Sequence, residues 1–279
     1  MAADSLPGYD QATQAGQAGL RALLAEPGSA LIALDFDGTL APIVEDPAQA
    51  RPLPESMTAL RALAASIGTL AVITGRLASR AVEYGALDQI PGIIVLGQYG
   101  RQRWEAGQLT GPPPPPGLAD ARAELPKLLS GVNAPQGTQI EDKGDALAVH
   151  TRRTDDPAGT LDRLADPLRR LAARTGLRAE PGRMVIELRP DGTDKGQALE
   201  NLTAERMRSA IMFCGDDLGD RPAFEAVRRL RAAGQPGIAV CSKSAEVPGL
   251  AGEADLVVDG PAGVAGLLSG LAAEVGGQT

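Results

Sequence analysis

The sequence predicts an α/β protein with a parallel β-sheet at its core, and the pattern of apolar runs is the main evidence. Six short runs have the length and composition of strands that are buried on both faces of a sheet. Several of them end in carboxylates, hydroxyls or glycine turns, and open α/β sheets hold their ligands just beyond the carboxyl ends of such strands. A separate order of elements over 112–189 indicates a second, smaller domain. The six runs are 31–34, 69–73, 93–96, 210–214, 237–241 and 255–258.

The first strand leads directly into two carboxylates, Asp35 and Asp37, and then into a turn at Gly38. Two carboxylates this close repel each other unless a cation or a shared proton relieves the repulsion. Magnesium prefers one or two carboxylates together with waters and phosphate oxygens, so the spacing predicts a Mg²⁺-assisted phosphoryl site. The alternative is a strand followed by an ordinary acidic turn, because Asp-Gly is a common turn dipeptide.

At such a site the two carboxylates would have different tasks. Asp35 would attack phosphorus as a nucleophile and form an aspartyl phosphate. Asp37 would protonate the leaving oxygen and later activate water, a role worth about 10²–10⁴ in rate.

The second strand, Thr69–Ile73, ends in Thr74, Gly75 and Arg76. The hydroxyl and the turn amides of this tripeptide could bind phosphoryl oxygens. An ordinary strand-to-helix turn in which Thr74 caps the helix is an equally good interpretation of the tripeptide alone.

Lys195 precedes an amphipathic segment at 197–202, which places its charge near a helix N-terminus. A cation there opposes the helix dipole unless an anion lies close by. The chain has only four lysines against twenty-three arginines, so a retained lysine points to a need for a compact charge. We therefore expect Lys195 to bind a phosphoryl group rather than to be a solvated surface residue.

The apolar run Ala210–Cys214 ends in an acidic loop, and Asp216 is our candidate for a further metal carboxylate. Asp217 or Asp220 would orient Lys195 or the water ligands of the metal without binding the metal itself. The alternative for this segment is an acidic loop that caps the following helix.

Taken together, these segments resemble the motifs of the haloacid dehalogenase superfamily. The resemblance implies a Rossmann-like core, magnesium dependence and an aspartyl-phosphate intermediate. It also implies that an inserted cap domain selects the substrate, with the catalytic core at 1–111 and 190–279 and the cap at 112–189. The four segments are Asp35–Thr39, Thr74–Arg76, Asp194–Gly196 and Gly215–Asp220.

The insert begins at Pro112–Pro116, a stiff polyproline II run that we interpret as a hinge or spacer rather than as a proline-rich ligand. The order αββαββ predicts a small antiparallel sheet with two helices on one face. Such a domain would act as a lid that excludes water from the phosphoryl site. The predicted helices are 118–130 and 158–175, and the predicted strands are 137–142, 145–151, 177–181 and 183–189.

Within the insert, two segments at 140–144 and 148–152 are similar to the paired cap strands of trehalose-6-phosphate phosphatases. This second resemblance implies a cap of the C2B type in which Glu141, Lys143 and Glu187 bind glucose hydroxyls. From the residues alone, a solvated face of a small sheet explains the same charges.

Composition excludes several function classes. The net charge of −8 disfavours nucleic acid and anionic membranes as partners. His150 is the only histidine, which excludes sites that need several histidines. The only cysteines, Cys214 and Cys241, both end apolar runs, which excludes a disulfide framework. No apolar run approaches the length of a membrane span, and Met1–Asp10 does not have the pattern of a secretory signal. We expect a cytoplasmic protein.

These observations and the family resemblance imply a Mg²⁺-dependent phosphomonoester hydrolase that converts trehalose 6-phosphate to trehalose and phosphate, a step of trehalose biosynthesis. The metal would be bound by Asp35, Asp216 and the backbone carbonyl of Asp37. One alternative is a phosphatase for another sugar phosphate. A second is a non-catalytic sugar-phosphate sensor, against which the intact set of carboxylates and Lys195 argues, because a binding module needs no nucleophile.

Overall fold

The computed structural model describes residues 11–182, 184–190, 192, 194–243 and 249–277. The chain divides into two compact units. We call Met1–Gly111 with Asp194–Thr279 the core unit and Pro112–Thr193 the insert unit. The predictions for Met1–Asp10, and for the part of the last insert strand at Arg183, lie outside the described residues.

The helices and strands follow one another along the chain as the alternation of apolar runs and helical spacing predicts. The strands are β1 (Ala30–Leu34), β2 (Thr69–Ile73), β3 (Ile94–Gly97), β4 (Gln102–Glu105), β5 (Gln108–Thr110), β6 (Gln139–Asp142), β7 (Leu147–His150), β8 (Arg178–Gly182), β9 (Val185–Arg189), β10 (Ala210–Gly215), β11 (Gly237–Ser242) and β12 (Leu256–Val258). The helices are α1 (Gln14–Ala25), α2 (Pro54–Leu63), α3 (Ala78–Gly85), α4 (Leu118–Gly131), α5 (Pro157–Arg174), α6 (Lys195–Arg206), α7 (Arg221–Ala232) and α8 (Gly260–Gly276). No helix in the described part of the chain has the length and apolar character to cross a membrane.

The core unit is built on an eight-stranded sheet in the order β12-β11-β10-β1-β2-β3-β4-β5. The first six of these strands are parallel, which confirms the predicted fold class. The remaining two form an antiparallel hairpin that extends the sheet beyond β3. The apolar runs do not predict this hairpin, because its strands are short and mostly polar.

Strand β1 lies inside the sheet and is buried along its whole length. Ile32 and Leu34 belong to the hydrophobic cluster that includes residues of α1, α2, α3 and α8. Leu31 and Ala33 belong to a second cluster with residues of α6 and α7. Helices thus cover both faces of the sheet, which explains why β1 is continuously apolar rather than alternating.

A buried carboxylate, Asp255, ties several elements of the core unit together just before β12. It accepts hydrogen bonds from the hydroxyl of Thr13 at 2.7 Å, from Arg231 of α7 at 2.7 Å and from the backbone amide of Ala239 at 2.9 Å. Thr13 is also the N-cap of α1. The charge of Asp255 is therefore paired and hydrogen-bonded, as a buried carboxylate requires.

The insert unit has the predicted element order, α4-β6-β7-α5-β8-β9. Its four antiparallel strands pair in the order β6-β7-β9-β8. Val149, Ile186 and Leu188 form one hydrophobic cluster with residues of both helices, such as Leu125 and Leu168. Both helices therefore pack on the same face of this small sheet, and the opposite face carries polar side chains.

We predict that Asp255→Ala lowers the free energy of unfolding by about 3 kcal/mol, because it removes the carboxylate that pairs with the Arg231 charge and leaves the buried Ala239 amide without its side-chain acceptor. Urea unfolding measures the change. Asp166→Ala removes the carboxylate of an exposed ion pair with Arg169 and serves as the control, with an expected loss below about 0.5 kcal/mol. Equal losses for the two variants would contradict the assignment of Asp255 as a buried structural charge.

Candidate active site

The ends of three parallel strands bring the predicted core residues to one edge of the sheet. Asp35 follows β1, Thr74 follows β2 and Asp216 follows β10. Strand β1 pairs in parallel with both β2 and β10, so the three side chains leave the sheet at neighbouring positions. The predicted Lys195 is the first residue of α6.

Lys195 is held between two carboxylates. Its Nζ lies 2.7 Å from Oδ1 of Asp35 and 2.7 Å from Oδ1 of Asp220, and the residue is only 3% exposed. Burial disfavours the charged lysine, but Asp220 and Asp35 more than offset this and raise the pKa of Lys195 well above its ordinary value. The lysine is therefore a fixed positive charge, and its anionic neighbours explain its place at a helix N-terminus.

Asp220 uses both carboxylate oxygens inside the protein. Oδ1 accepts the hydrogen bond from Lys195, and Oδ2 accepts from the backbone amides of Asp216 at 2.9 Å and Asp217 at 3.1 Å. The side chain of Asp217 instead accepts from the amide of Gly219 at 2.8 Å. Of the two residues that the sequence proposes for orienting Lys195, the structure places Asp220 in contact with it.

Three buried carboxylates are close enough together to hold a metal ion. One oxygen from each of Asp35, Asp216 and Asp220 lies within 4.8 Å of the others. Because both oxygens of Asp220 already accept hydrogen bonds, Asp35 and Asp216 are the better candidates for ligands. Only Lys195 among the described residues forms an ion pair with this group of carboxylates.

Burial and the neighbouring carboxylates both raise the pKa values of these carboxyl groups. Burial, followed by the neighbouring charges of Asp220 and Asp35, raises the pKa of Asp216 to about 10. Burial also raises the pKa of Asp35 well above its usual range, although Lys195 opposes the shift. A divalent cation with oxygen ligands would relieve this repulsion, so the donor set fits Mg²⁺.

The turn after β1 leaves room for Asp216 only because residue 38 is glycine. Gly38 has φ +72°, and a Cβ atom there would lie 2.1 Å from Oδ2 of Asp216. The buried hydroxyl of Ser242, the last residue of β11, donates to the carbonyl of Gly38 at 2.6 Å. The sequence does not predict Ser242 as a site residue, and its only signal is its position directly after the apolar run at 237–241.

Asp37 and Arg76 form a two-bond ion pair. Nε of Arg76 donates to Oδ2 of Asp37 and Nη2 donates to Oδ1, both at 2.6 Å. The remaining Nη1 donates to the carbonyl of Pro47 at 2.8 Å. The predicted substrate-binding arginine thus directs its guanidinium to the predicted general acid.

Contacts with neighbouring residues fix the turn that contains Thr74 and Gly75. The hydroxyl of Thr74 accepts from the amide of Arg76 at 3.2 Å, and the residue is buried. Gln98 donates its side-chain amide to the carbonyl of Gly75 at 2.8 Å, and a Cβ on Gly75 would lie 2.9 Å from the hydroxyl of Tyr99. The turn amides keep a fixed arrangement as a result.

The insert unit brings together the three residues that the second resemblance assigns to sugar binding. Glu141 and Glu187 both lie opposite Ala148 on the polar face of the sheet. Lys143 forms an ion pair with Glu187, and its Nζ lies 4.0 Å from Oε2 of Glu141. Nε2 of His150 lies 2.8 Å from Oε2 of Glu141. The four side chains form one polar cluster over a sheet whose other face is apolar.

Comparison with known proteins identifies the family. Residues 33–261 match the sequence pattern of a family described as trehalose-phosphatase. The chain belongs to this trehalose-phosphatase family. The match extends from the middle of β1, through the insert unit, to the start of α8.

The chain is also similar in sequence to curated proteins that are longer than it is. The chain is 32% identical over 259 residues to a trehalose-phosphate phosphatase of Mycobacterium marinum, covering 86% of this chain and 61% of that protein. Other relatives are longer still, and this chain spans as little as 15% of one of them. The chain therefore spans less than two thirds of the length of these curated relatives.

Solved structures confirm the fold. The C-terminal domain of C. albicans trehalose-6-phosphate phosphatase superimposes with a TM-score of 0.76 at 20% identity, covering 94% of this chain and 98% of that domain. A haloacid dehalogenase-like hydrolase from Bacteroides thetaiotaomicron gives a TM-score of 0.59 at 14% identity, covering 86% and 98%. These likenesses confirm the predicted fold, a parallel-sheet α/β core with a smaller α+β insert.

We predict that Gly38→Ala weakens Mg²⁺ binding at least about tenfold, because the new methyl group displaces the carboxylate of Asp216. Calorimetric titration with Mg²⁺ measures this. Gly92→Ala is the matched control, since Gly92 has φ +69° but no atom within 4 Å of an added methyl group. Both variants lose about 1 kcal/mol of stability from the left-handed backbone. Equal Mg²⁺ affinity in the two variants would contradict the placement of the metal beside Gly38.

Proposed function

We propose that this protein is a Mg²⁺-dependent phosphatase that hydrolyses trehalose 6-phosphate to trehalose and phosphate. The main support is the position of Asp35 at the carboxyl end of β1. There it forms an ion pair with the buried Lys195 and lies beside a second buried carboxylate, Asp216. A binding protein has no need of a buried nucleophile in this setting. The family membership supports the choice of substrate.

Asp35, Asp216 and the backbone carbonyl of Asp37 would hold the Mg²⁺ ion. When bound, the ion neutralises carboxylate charge and polarises the phosphoryl oxygens. The close approach of Asp216 to Asp35 within the group of buried carboxylates supports this assignment. Asp220 does not act as a ligand in this proposal, because it fixes Lys195 and the backbone of the loop after β10.

The reaction proceeds in two displacements at phosphorus. A carboxylate oxygen of Asp35 forms a bond to phosphorus while the bond to the sugar oxygen breaks, and Asp37 gives its proton to that oxygen. Water then attacks the aspartyl phosphate, Asp37 takes a proton from the water, and phosphate leaves with the Asp35 carboxylate restored. Asp37 thus ends the cycle in the protonation state in which it began.

The phosphoryl oxygens need donors that are already in place. Thr74 provides a hydroxyl, the turn at Gly75 and Arg76 provides backbone amides, and Lys195 provides a fixed charge. Groups that are positioned before the substrate arrives cost little reorganisation in the transition state. The buried contacts of Thr74 and Lys195 support this role.

In the insert unit, Glu141, Lys143 and Glu187 bind the hydroxyl groups of the sugar. Charged groups form stronger hydrogen bonds with hydroxyls than neutral groups do. The ion pair between Lys143 and Glu187 supports this proposal, because it holds a donor and an acceptor side by side on the polar face of the sheet. The insert unit is then the substrate-specificity domain.

We predict that Asp35→Asn retains the fold and loses at least about 10³-fold in phosphate release, since the amide is not a nucleophile. Phosphate release with Mg²⁺ is measured on trehalose 6-phosphate, sucrose 6-phosphate, glucose 6-phosphate and a nitrophenyl phosphate. Asp88→Asn, at an exposed residue of the core unit, is the control. A clear preference for another sugar phosphate would refute the proposed substrate, and substantial turnover by Asp35→Asn would refute the proposed nucleophile.

We further predict that Glu187→Gln and Lys143→Ala each raise KM for trehalose 6-phosphate about tenfold, because each removes a charged hydrogen bond to the sugar. Neither variant changes KM for nitrophenyl phosphate, which has no sugar. Arg169→Ala, at an exposed residue of α5 in the same unit, leaves both substrates unaffected. Parallel changes with both substrates would count against sugar recognition by this cluster.

A further inference from the structure

Arg76 lies against two aromatic rings in addition to its bonds with Asp37. The centre of its guanidinium is 5.0 Å from the ring of Phe36 and 5.6 Å from the ring of Tyr84. Its side chain is only 13% exposed. Because the attraction between a guanidinium and an aromatic face strengthens as water is excluded, these rings contribute to fixing the arginine.

Tyr84, in the last turn of α3, is a shared contact of several arginines. Arg51 lies 5.1 Å from its ring and Arg80 lies 5.9 Å from it. Arg51 also donates to the carbonyls of Ala48 and Ala50, next to the Pro47 carbonyl that accepts from Arg76. The ring of Tyr84 and the segment 47–50 therefore hold both Arg51 and Arg76.

We infer that Tyr84 is a positioning residue for Asp37, acting through Arg76. The ring of Tyr84 fixes the guanidinium, and the guanidinium fixes the Asp37 carboxylate through two parallel hydrogen bonds of 2.6 Å. This inference rests on the proposed function, in which Asp37 protonates the leaving sugar oxygen. What it adds is that a side chain of α3 controls the orientation of that acid.

The face of the ring, not its hydroxyl, carries this role. No residue in the described part of the chain forms a hydrogen bond with the hydroxyl of Tyr84, whereas three guanidinium groups lie within 6 Å of the ring. Tyr84→Phe should therefore preserve the positioning of Arg76, whereas Tyr84→Leu, which removes the aromatic face, should not.

The test compares two substrates that differ in their need for an acid. The alkoxide of a sugar requires a proton to leave, whereas a nitrophenolate leaves without one. We expect Tyr84→Leu to lower kcat/KM for trehalose 6-phosphate about tenfold and kcat/KM for nitrophenyl phosphate less than about twofold. The ratio kcat/KM is compared because it reports the steps up to departure of the leaving group, before Asp37 acts on the water that both substrates share. Tyr84→Phe should retain both activities. Arg80→Ala, which removes an exposed guanidinium from the same ring, should do the same.

Tyr84→Met replaces Tyr84→Leu if the leucine variant does not fold, since methionine is flexible and fills irregular space. Equal losses with the two substrates would show a merely structural role and overturn the inference, as would a Tyr84→Phe variant as impaired as Tyr84→Leu. A wild-type protein that releases phosphate from neither compound would overturn the proposed function and the inference with it. A wild-type protein active on both compounds, with both Tyr84 variants unimpaired, would overturn the inference alone.

Discussion

The structure depends on how a buried excess of negative charge is kept at the edge of the core sheet. Asp35, Asp216 and Asp220 lie close together, and Lys195 is the cation that pairs with two of them. Isolated buried carboxylates are very costly, so such a group persists only with fixed partners or a bound cation. Asp220 meets this requirement with three hydrogen bonds from the protein, which leaves Asp35 and Asp216 facing the position of the proposed cation.

The parallel pairing of strands makes this arrangement achievable. Because β1 pairs with β10 along its whole length, Asp35 and the loop with Asp216 leave the sheet side by side. Gly38 lets the loop after β1 approach the Asp216 carboxylate, and the hydroxyl of Ser242 fixes the Gly38 carbonyl from β11. Three neighbouring strands therefore determine the position of one carboxylate, and the chemistry follows from the sheet rather than from any single loop.

The sequence predicts much of this, and its failures have a common cause. Continuous apolar runs identify the six parallel strands, and the position of Lys195 at the start of a helical segment, in a chain with few lysines, identifies that residue. Neither signal requires knowledge of which distant residues meet. The pairing of Asp37 with Arg76 spans 39 positions, and the bond from Ser242 to Gly38 spans 204, so neither has a signal in the spacing of residues. The sequence also leaves Asp217 and Asp220 as equal candidates, because only the turn geometry decides which carboxylate faces Lys195.

In the proposed mechanism, Asp35 forms a covalent bond to phosphorus during turnover. The most direct measurement is a rapid acid quench of the protein during the hydrolysis of trehalose 6-phosphate, followed by borohydride reduction and mass spectrometry of the peptides. Reduction of an aspartyl phosphate leaves homoserine, so we expect homoserine at position 35 and at no other aspartate. Homoserine at Asp37 or Asp216 instead, or none at any position during active turnover, would contradict it.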